Sequence, residues 1–247
     1  QEIKPNVLPD SIHTLNLGWS FDKEIKLNML PKNLHNLKFG MYFDKEIKPD
    51  VLPKNLHTLQ FGLFFREHIQ PNVLPKNLHI LSIDFGYRYY KVCVLPENLH
   101  TLELVNYNEK IKSNFLPRKL HTLDLGLKFN KKIKVNTLPV FLHTLLLGDA
   151  FNKPIEQHTI PDSCRIIRMG NDFNNLIEPD SLPINLHELR LGIDFNQKID
   201  QNALPKHLHT LIFGKNFNQK LDQNVLPKHL HTLIFGICYN QKIKRNV

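Results

Sequence analysis

The sequence predicts a β-rich solenoid: a parallel sheet of about eleven coils of 21–22 residues, with little or no long α-helix. Three observations predict it. A proline recurs at Pro9, Pro31, Pro53, Pro75, Pro96, Pro117, Pro139, Pro161, Pro183, Pro205 and Pro227, in steps of 22 residues except two of 21. Each proline is followed at fixed distances by the pattern apolar-x-x-apolar-x-apolar, and nine of the eleven copies then carry glycine. A fixed period near 20 residues marks an architecture in which each unit touches only its neighbours.

With the proline as slot zero, slot three is apolar from Ile12 and Leu34 to Leu208 and Leu230, with Cys164 in one copy. Slot six is leucine except at Ile167, and slot eight is Leu, Phe, Ile or Met. Slots six and eight alternate with slots five and seven, the period of a strand, and slot three lies on its approach. This is the opening half of a leucine-rich repeat. Slot nine is Gly18, Gly40, Gly62, Gly126, Gly148, Gly170, Gly192, Gly214 and Gly236. There the chain must turn, and positive φ is the expected reason for glycine. Slot twelve is usually aromatic, as in Phe21, Phe129, Phe195 and Tyr239, and slot thirteen is often Asn. The slot-thirteen side chain is expected to turn inward and satisfy backbone groups of the next loop. The proline lacks an N–H and cannot sit in a central ladder, so it belongs to the return, which is expected to be polyproline-like or short 3₁₀.

The unbroken period makes residues 1–247 one repeat domain, not two globules. No run of 18 apolar residues occurs, so no membrane-spanning helix is expected. Gln1 and Val247 both fall inside a repeat, and the chain reads as a fragment. Cys93, Cys164 and Cys238 occupy different slots of different copies. Distant coils cannot bridge them, and free thiols imply a reducing, cytoplasmic compartment. The pattern breaks at the copies from Pro75 and Pro96, each one residue short and with Asp84 and Val105 at slot nine. Tyr87, Arg88, Tyr89 and Tyr90 interrupt the first of them. Such a break is drift in a tolerant loop, a bend in the solenoid or a binding loop.

Leu-Pro-x-x-Leu-x-x-Leu-x-Leu/Phe-Gly-x-x-Phe-Asn-x-x-Ile, fullest at Leu182–Ile199, Leu204–Leu221 and Leu116–Ile133, resembles the FNIP repeat, and the resemblance runs through essentially the whole chain. It implies a leucine-rich-repeat-like protein of the kind found in social amoebae and in giant viruses of amoebae. It also implies a cytoplasmic protein (host cytoplasm if viral) that binds proteins. Some relatives carry an F-box and serve as substrate receptors of ubiquitin ligases; no F-box is visible here. Asp22 and Asp44, then Arg66 and Arg88, replace the Asn, so any Asn ladder is expected to be interrupted there.

Slot four is His in ten copies, from His13 to His231. Parallel stacking would set these rings about 4.8 Å apart. A straight row offers too few convergent ligands for a dedicated zinc site, so a structural ladder of neutral imidazoles, hydrogen-bonded to adjacent turns, is expected, with no cofactor or metal. The threonines of slot five have no companion base or oxyanion site and suit an outward β-surface. No phosphate-binding Gly loop, Cys-x-x-Cys or His-Glu-x-x-His occurs, so no enzyme is expected.

Slot seven shares the outward, concave strand face with that threonine column and varies from copy to copy. Its candidate partner-binding residues are Lys38, Gln60, Glu103, Asp124, Leu146, Arg168, Arg190, Ile212 and Ile234, with Asn16 and Ser82 in the same column. Leu146, Ile212 and Ile234 are expected to be exposed apolar groups, and slot ten adds Trp19, Met41, Leu63 and Ile237 at the strand's end. The net charge of +9 includes 23 acids, and slot seventeen changes sign from Lys26, Lys48 and Lys134 to Glu156, Glu178, Asp200 and Asp222. That reversal speaks against a continuous nucleic-acid track and for a solvated face. The leading function is therefore a non-catalytic protein-interaction scaffold. The alternative is a self-associating structural solenoid, with nucleic-acid binding third.

Overall fold

The computed structural model describes residues 2–84 and 94–243. The chain divides into two compact units, Gln1–Tyr107 with Pro117–Leu120, and Asn108–Leu116 with His121–Val247. The first holds β1 (Thr14–Asn16), β2 (Asn36–Lys38), β3 (Thr58–Gln60), β4 (Ile80–Ile83) and β5 (Thr101–Leu104). The second holds β6 (Thr122–Asp124), β7 (Thr144–Leu146), β8 (Ile166–Arg168), β9 (Glu188–Arg190), β10 (Thr210–Ile212) and β11 (Thr232–Ile234). No helix occurs among the described residues, so none is long and apolar enough to cross a membrane.

Within each unit every strand runs parallel to its neighbours and slot pairs with slot. Thr14 meets Asn36, Asn36 meets Thr58, Thr58 meets Ile80 and Ile80 meets Thr101. In the second unit Thr122 meets Thr144, then Ile166, Glu188, Thr210 and Thr232 in succession. The shortened copy from Pro75 keeps this register between β4 and β5. A one-residue slip in the strand would turn every leucine to the wrong face, so the missing residue is absorbed outside it.

Several coils add three hydrogen-bonded turns to their strand. The second coil shows them in order: Leu34 N–H donates to Pro31 O at 3.2 Å, Phe43 N–H to Gly40 O at 3.2 Å, and Val51 N–H to Lys48 O at 3.4 Å. The return thus turns at its hydrogen-bonded corners, with no 3₁₀ segment among the described residues, where a polyproline-like or short 3₁₀ return was expected. The third turn carries the coil's left-handed residue: Asn6, Asn28, Asp50, Asn72, Asn114, Asn136, His158, Asp180, Asn202 and Asn224 all have φ between 59° and 66°. A β-turn with positive φ at its third position calls for Gly or Asn there and favours Pro just before it, which places Pro5, Pro49, Pro71 and Pro179. His158 is the exception to the Asn/Asp rule at φ 60°. His158→Asn is expected to stabilise the chain slightly, because Asn tolerates the left-handed region best among residues with a side chain. A urea midpoint that fails to rise would contradict this.

The slot-nine glycines have a different cause from the one expected. Only Gly126, among those described, has positive φ, at 67°. The others, Gly18 apart, are glycine because coils approach too closely for a side chain. A Cβ on Gly40 would fall inside the envelope of Gly18's carbonyl oxygen, and the same holds for Gly62 on Gly40, Gly170 on Gly148, Gly192 on Gly170, Gly214 on Gly192 and Gly236 on Gly214. Gly18, in the first coil, has nothing within 4 Å of its Cβ direction.

Slots three, six, eight, twelve and sixteen fill the interior. Leu142, Leu145, Leu186, Leu189, Leu208 and Leu211 are fully buried. Phe129, Phe151, Phe173, Phe195 and Phe217 stack at centroid spacings of 6.0–6.1 Å. In the first unit Phe21, Phe43 and Phe65 do the same at 6.3 and 6.0 Å. Where slot eight is also aromatic the two rings of one coil meet, as for Phe39 and Phe43 at 4.0 Å. Cys164 takes a leucine slot in this core, and burial pushes its thiol pKa up to about 12; Cys238 is exposed, and both are free thiols. Tyr87, Arg88, Tyr89, Tyr90, Lys91 and Cys93 lie outside the described residues.

Slot thirteen builds a ladder of its own. Each side-chain oxygen accepts the backbone N–H of the same slot one coil on: Asn130 N–H to Asn108 at 2.9 Å, Asn152 to Asn130 at 3.1 Å, Asn174 to Asn152 at 3.1 Å, Asn196 to Asn174 at 2.9 Å, Asn218 to Asn196 at 2.9 Å and Asn240 to Asn218 at 2.8 Å. The acceptor role foreseen for these residues is met, but they lie along the coil's rim, half-buried or exposed, not turned inward. Aspartate does not interrupt the ladder, since only the oxygen is used: Asp22 accepts from Asp44 at 3.0 Å, and Asp44 from Arg66 at 2.7 Å.

Candidate interaction face

Because strand side chains alternate, burying slot six sends slots five and seven to the opposite face of each sheet. In the first unit slot seven reads Asn16, Lys38, Gln60, Ser82 and Glu103, in register. Asn16 and Lys38 are exposed, Gln60 and Glu103 half-buried. Ser82 is buried at 5% exposure, so it offers no contact surface. In the second unit the column reads Asp124, Leu146, Arg168, Arg190, Ile212 and Ile234. Ile234 is 48% exposed, but Leu146 and Ile212 are only half-buried, because neighbouring coils flank them on both sides. Asp124 is committed locally: its Oδ1 accepts the N–H of Gly126 at 2.8 Å, where the chain turns at positive φ.

Glu188 lies beside the second unit's column and was not singled out in the sequence. It occupies slot five, where most copies have Thr. Its Oε1 accepts Arg190 Nε at 2.6 Å and lies 4.0 Å from Arg168 Nε. The departure from the threonine column, next to two arginines, was the available signal.

At the strand ends of the first unit a groove of about 520 Å³ is lined by Trp19, Met41, Leu63, Lys38 and Gln60, among others. Trp19 is 73% and Leu63 40% exposed, and the adjoining Tyr42 stacks on Phe64 at 5.2 Å. In the second unit Leu127, Ile193 and Ile237 continue slot ten as exposed apolar groups.

The FNIP Repeat family model matches residues 1–42, 21–64, 43–88, 90–128, 129–172, 173–216, 195–238 and 217–247. The chain belongs to the FNIP repeat family. Among solved structures, one described as the crystal structure of CroV588, a novel circular LRR protein, is 33% identical at a TM-score of 0.63, matching 100% of this chain and 46% of that one. YopM from Yersinia enterocolitica WA-314 is 22% identical at 0.56, matching 94% of this chain and 52% of that one. The chain therefore spans about half the length of each. No curated protein matches it.

At the start of each strand, next to slot five of these FNIP coils, runs the histidine column. His13 and His35 lie 5.0 Å apart between ring centroids, His35 and His57 5.1 Å, His121 and His143 5.0 Å, His187 and His209 4.9 Å, and His209 and His231 5.1 Å. His13 Nδ1–H donates to Asn33 O of the next coil at 3.0 Å, whereas His187 Nδ1–H turns to Asn185 O of its own coil at 2.6 Å. Among the described residues no group of three or more His, Cys, Asp or Glu is placed to hold a metal ion. Desolvation lowers the pKa of His209, helped by the neighbouring His187, His231, His229 and His207. The unfolded chain therefore holds its proton on this group more tightly than the folded one. Stability is full above the unfolded value of about 6.5 and falls as pH drops through the window below it. The melting temperature is expected to fall between about pH 7 and pH 5; an unchanged value across that window would refute the linkage.

The charged return columns are compensated at close range. In the first unit Lys26 and Lys48 pair with Glu24 at 3.7 and 3.6 Å. In the second the order is reversed: Lys132 pairs with Glu156, and Lys198 lies 3.4 Å from Asp200 and 3.2 Å from Asp222. Exposed pairs of this kind contribute little to stability but neutralise the stripe, in keeping with a solvated face.

Proposed function

We propose that this FNIP-repeat chain is a non-catalytic scaffold whose outward strand face holds a protein partner. The supporting observation is the slot-seven column. It is kept in register from coil to coil while its residues vary widely along the chain, beyond histidine and threonine columns in which one residue type recurs in most copies. Such a face presents a distinct row of side chains on a fixed frame. The leucine-rich-repeat likeness agrees with that use. A narrower form makes the chain the substrate-binding part of an F-box-type ubiquitin-ligase adaptor, which co-purification of ubiquitin-ligase subunits with the full reading frame's product would test.

Photo-crosslinking tests the face itself. A crosslinker placed at Gln60, Leu146 or Ile212 is expected to capture the same protein from cells. Placed at the exposed return positions Val140 or Ile184, it is expected not to. Capture from the return positions alone would overturn the reading.

A further inference from the structure

We infer that the outward face of the second unit takes an amphipathic helix of a partner protein, with acidic residues at its centre and apolar residues to either side. The inference rests on the scaffold reading and names the chemistry of the partner.

From β7 to β11 the slot-seven column reads Leu146, Arg168, Arg190, Ile212, Ile234, each in register with the next. Two guanidinium groups thus sit side by side on adjacent strands, with 48% and 45% of their side chains exposed. Like charges facing each other across a strand pair repel. Among the described residues one carboxylate, Glu188, lies within 4.0 Å of them, and it is engaged through the two Nε atoms. Two positive charges therefore share one negative charge. The terminal guanidinium nitrogens keep donors suited to a further carboxylate, the acceptor that planar fork matches best. Leu146 precedes the pair and Ile212 and Ile234 follow it, with Ile166 beside Leu146 and Arg168 in slot five. The complementary surface is apolar, acidic, acidic, apolar, apolar.

The repeat spacing selects the partner's conformation. The adjacent histidine column rises 4.9–5.1 Å per coil. An α-helix laid across the strands advances about 5.4 Å per turn. Over the four steps from Leu146 to Ile234 it drifts by about 2 Å, within reach of flexible arginines. An extended segment repeats on one side every ~6.7 Å and drifts by about 7 Å, more than a whole coil. One helical turn per coil therefore keeps the match. A nucleic acid fits worse, because its evenly spaced phosphates would lie over Leu146, Ile212 and Glu188 as well as over the arginines.

The test uses fluorescence anisotropy on the whole chain with helical alanine-based peptides of about 18 residues, five turns, bearing Leu, Glu, Glu, Leu, Leu on successive turns. A second peptide carries Lys for Glu, and a single-stranded oligonucleotide serves as competitor. The Glu peptide is expected to bind at least about tenfold tighter than the Lys peptide, and Arg168→Gln with Arg190→Gln to abolish that preference. Arg168→Glu with Arg190→Glu is expected to reverse it, with melting temperatures confirming that both variants fold. Equal binding of the two peptides, binding of neither, or a charge-reversed variant that still prefers Glu would overturn the inference. Tighter binding of the oligonucleotide would assign the arginines to nucleic acid and overturn it equally. If these peptides fail while a partner still crosslinks from Leu146 and Ile212, only the acidic-helix inference falls. If crosslinking comes from the return side alone, the scaffold reading falls with it.

Discussion

Phe173→Ala is expected to cost about 3–5 kcal/mol of folding stability, the range for truncating a fully buried aromatic ring. Phe173 has no exposed surface and lies between Phe151 at 6.1 Å and Phe195 at 6.0 Å in a nearly parallel stack. Its neighbours are held by their own coils' turns and ladders, so they have little freedom to collapse into the gap. The lost ring removes dispersion contacts on both sides at once, and the cavity adds to the lost transfer energy. Urea unfolding of the second unit's variants measures this directly. Phe173→Leu, which refills part of the space, should recover a large share of the loss. A cost for the alanine variant below about 1 kcal/mol would mean that the column is loosely packed.

The second large effect is expected at slot nine. Gly192→Ala places a methyl group against the carbonyl of Gly170 and 2.8 Å from the Cα of Asn171. The obstruction is backbone, so no rotamer change relieves it and the two coils must part. A cost of about 2 kcal/mol or more is expected, toward the upper end of overpacking penalties. Gly18→Ala provides the control, because nothing lies within 4 Å of the added atom and the residue has no positive φ to protect. There the change should be neutral or slightly stabilising, since it lowers the entropy of the unfolded chain. If both substitutions cost the same, glycine is required at slot nine for conformation and not for coil approach.

How much of this was legible in the sequence depended on whether a residue's role was repeated. Leu145, Leu189 and Leu211 announce an inward strand position because the same residue type returns every 22 residues. Stacking, parallel order and register all followed from that regularity. The glycines were legible as a column but not in their cause: sequence shows that Gly170 and Gly192 recur, not that one's carbonyl occupies the other's side-chain space. The left-handed corner was visible only as a frequent Asn, and its tie to Pro49 and Pro179 became plain once the turn was seen. On the outward face the column of Arg168 and Arg190 was readable. The bond from Glu188 and the commitment of Asp124 to Gly126 were not, because the period fixes which face a side chain takes and leaves its bonding partner to local geometry. Ser82 shows the same limit: its slot says outward, while its surroundings cover it.

The rim ladder carries a consequence for substitution at its rungs. Exchanging asparagine for aspartate removes the amide nitrogen and keeps the side-chain oxygen. Here the coil-to-coil bond takes only the side-chain oxygen, and Asp22 and Asp44 already occupy two rungs of the same column. Asn152→Asp or Asn196→Asp would therefore leave the rung in place and add negative charge along the edge.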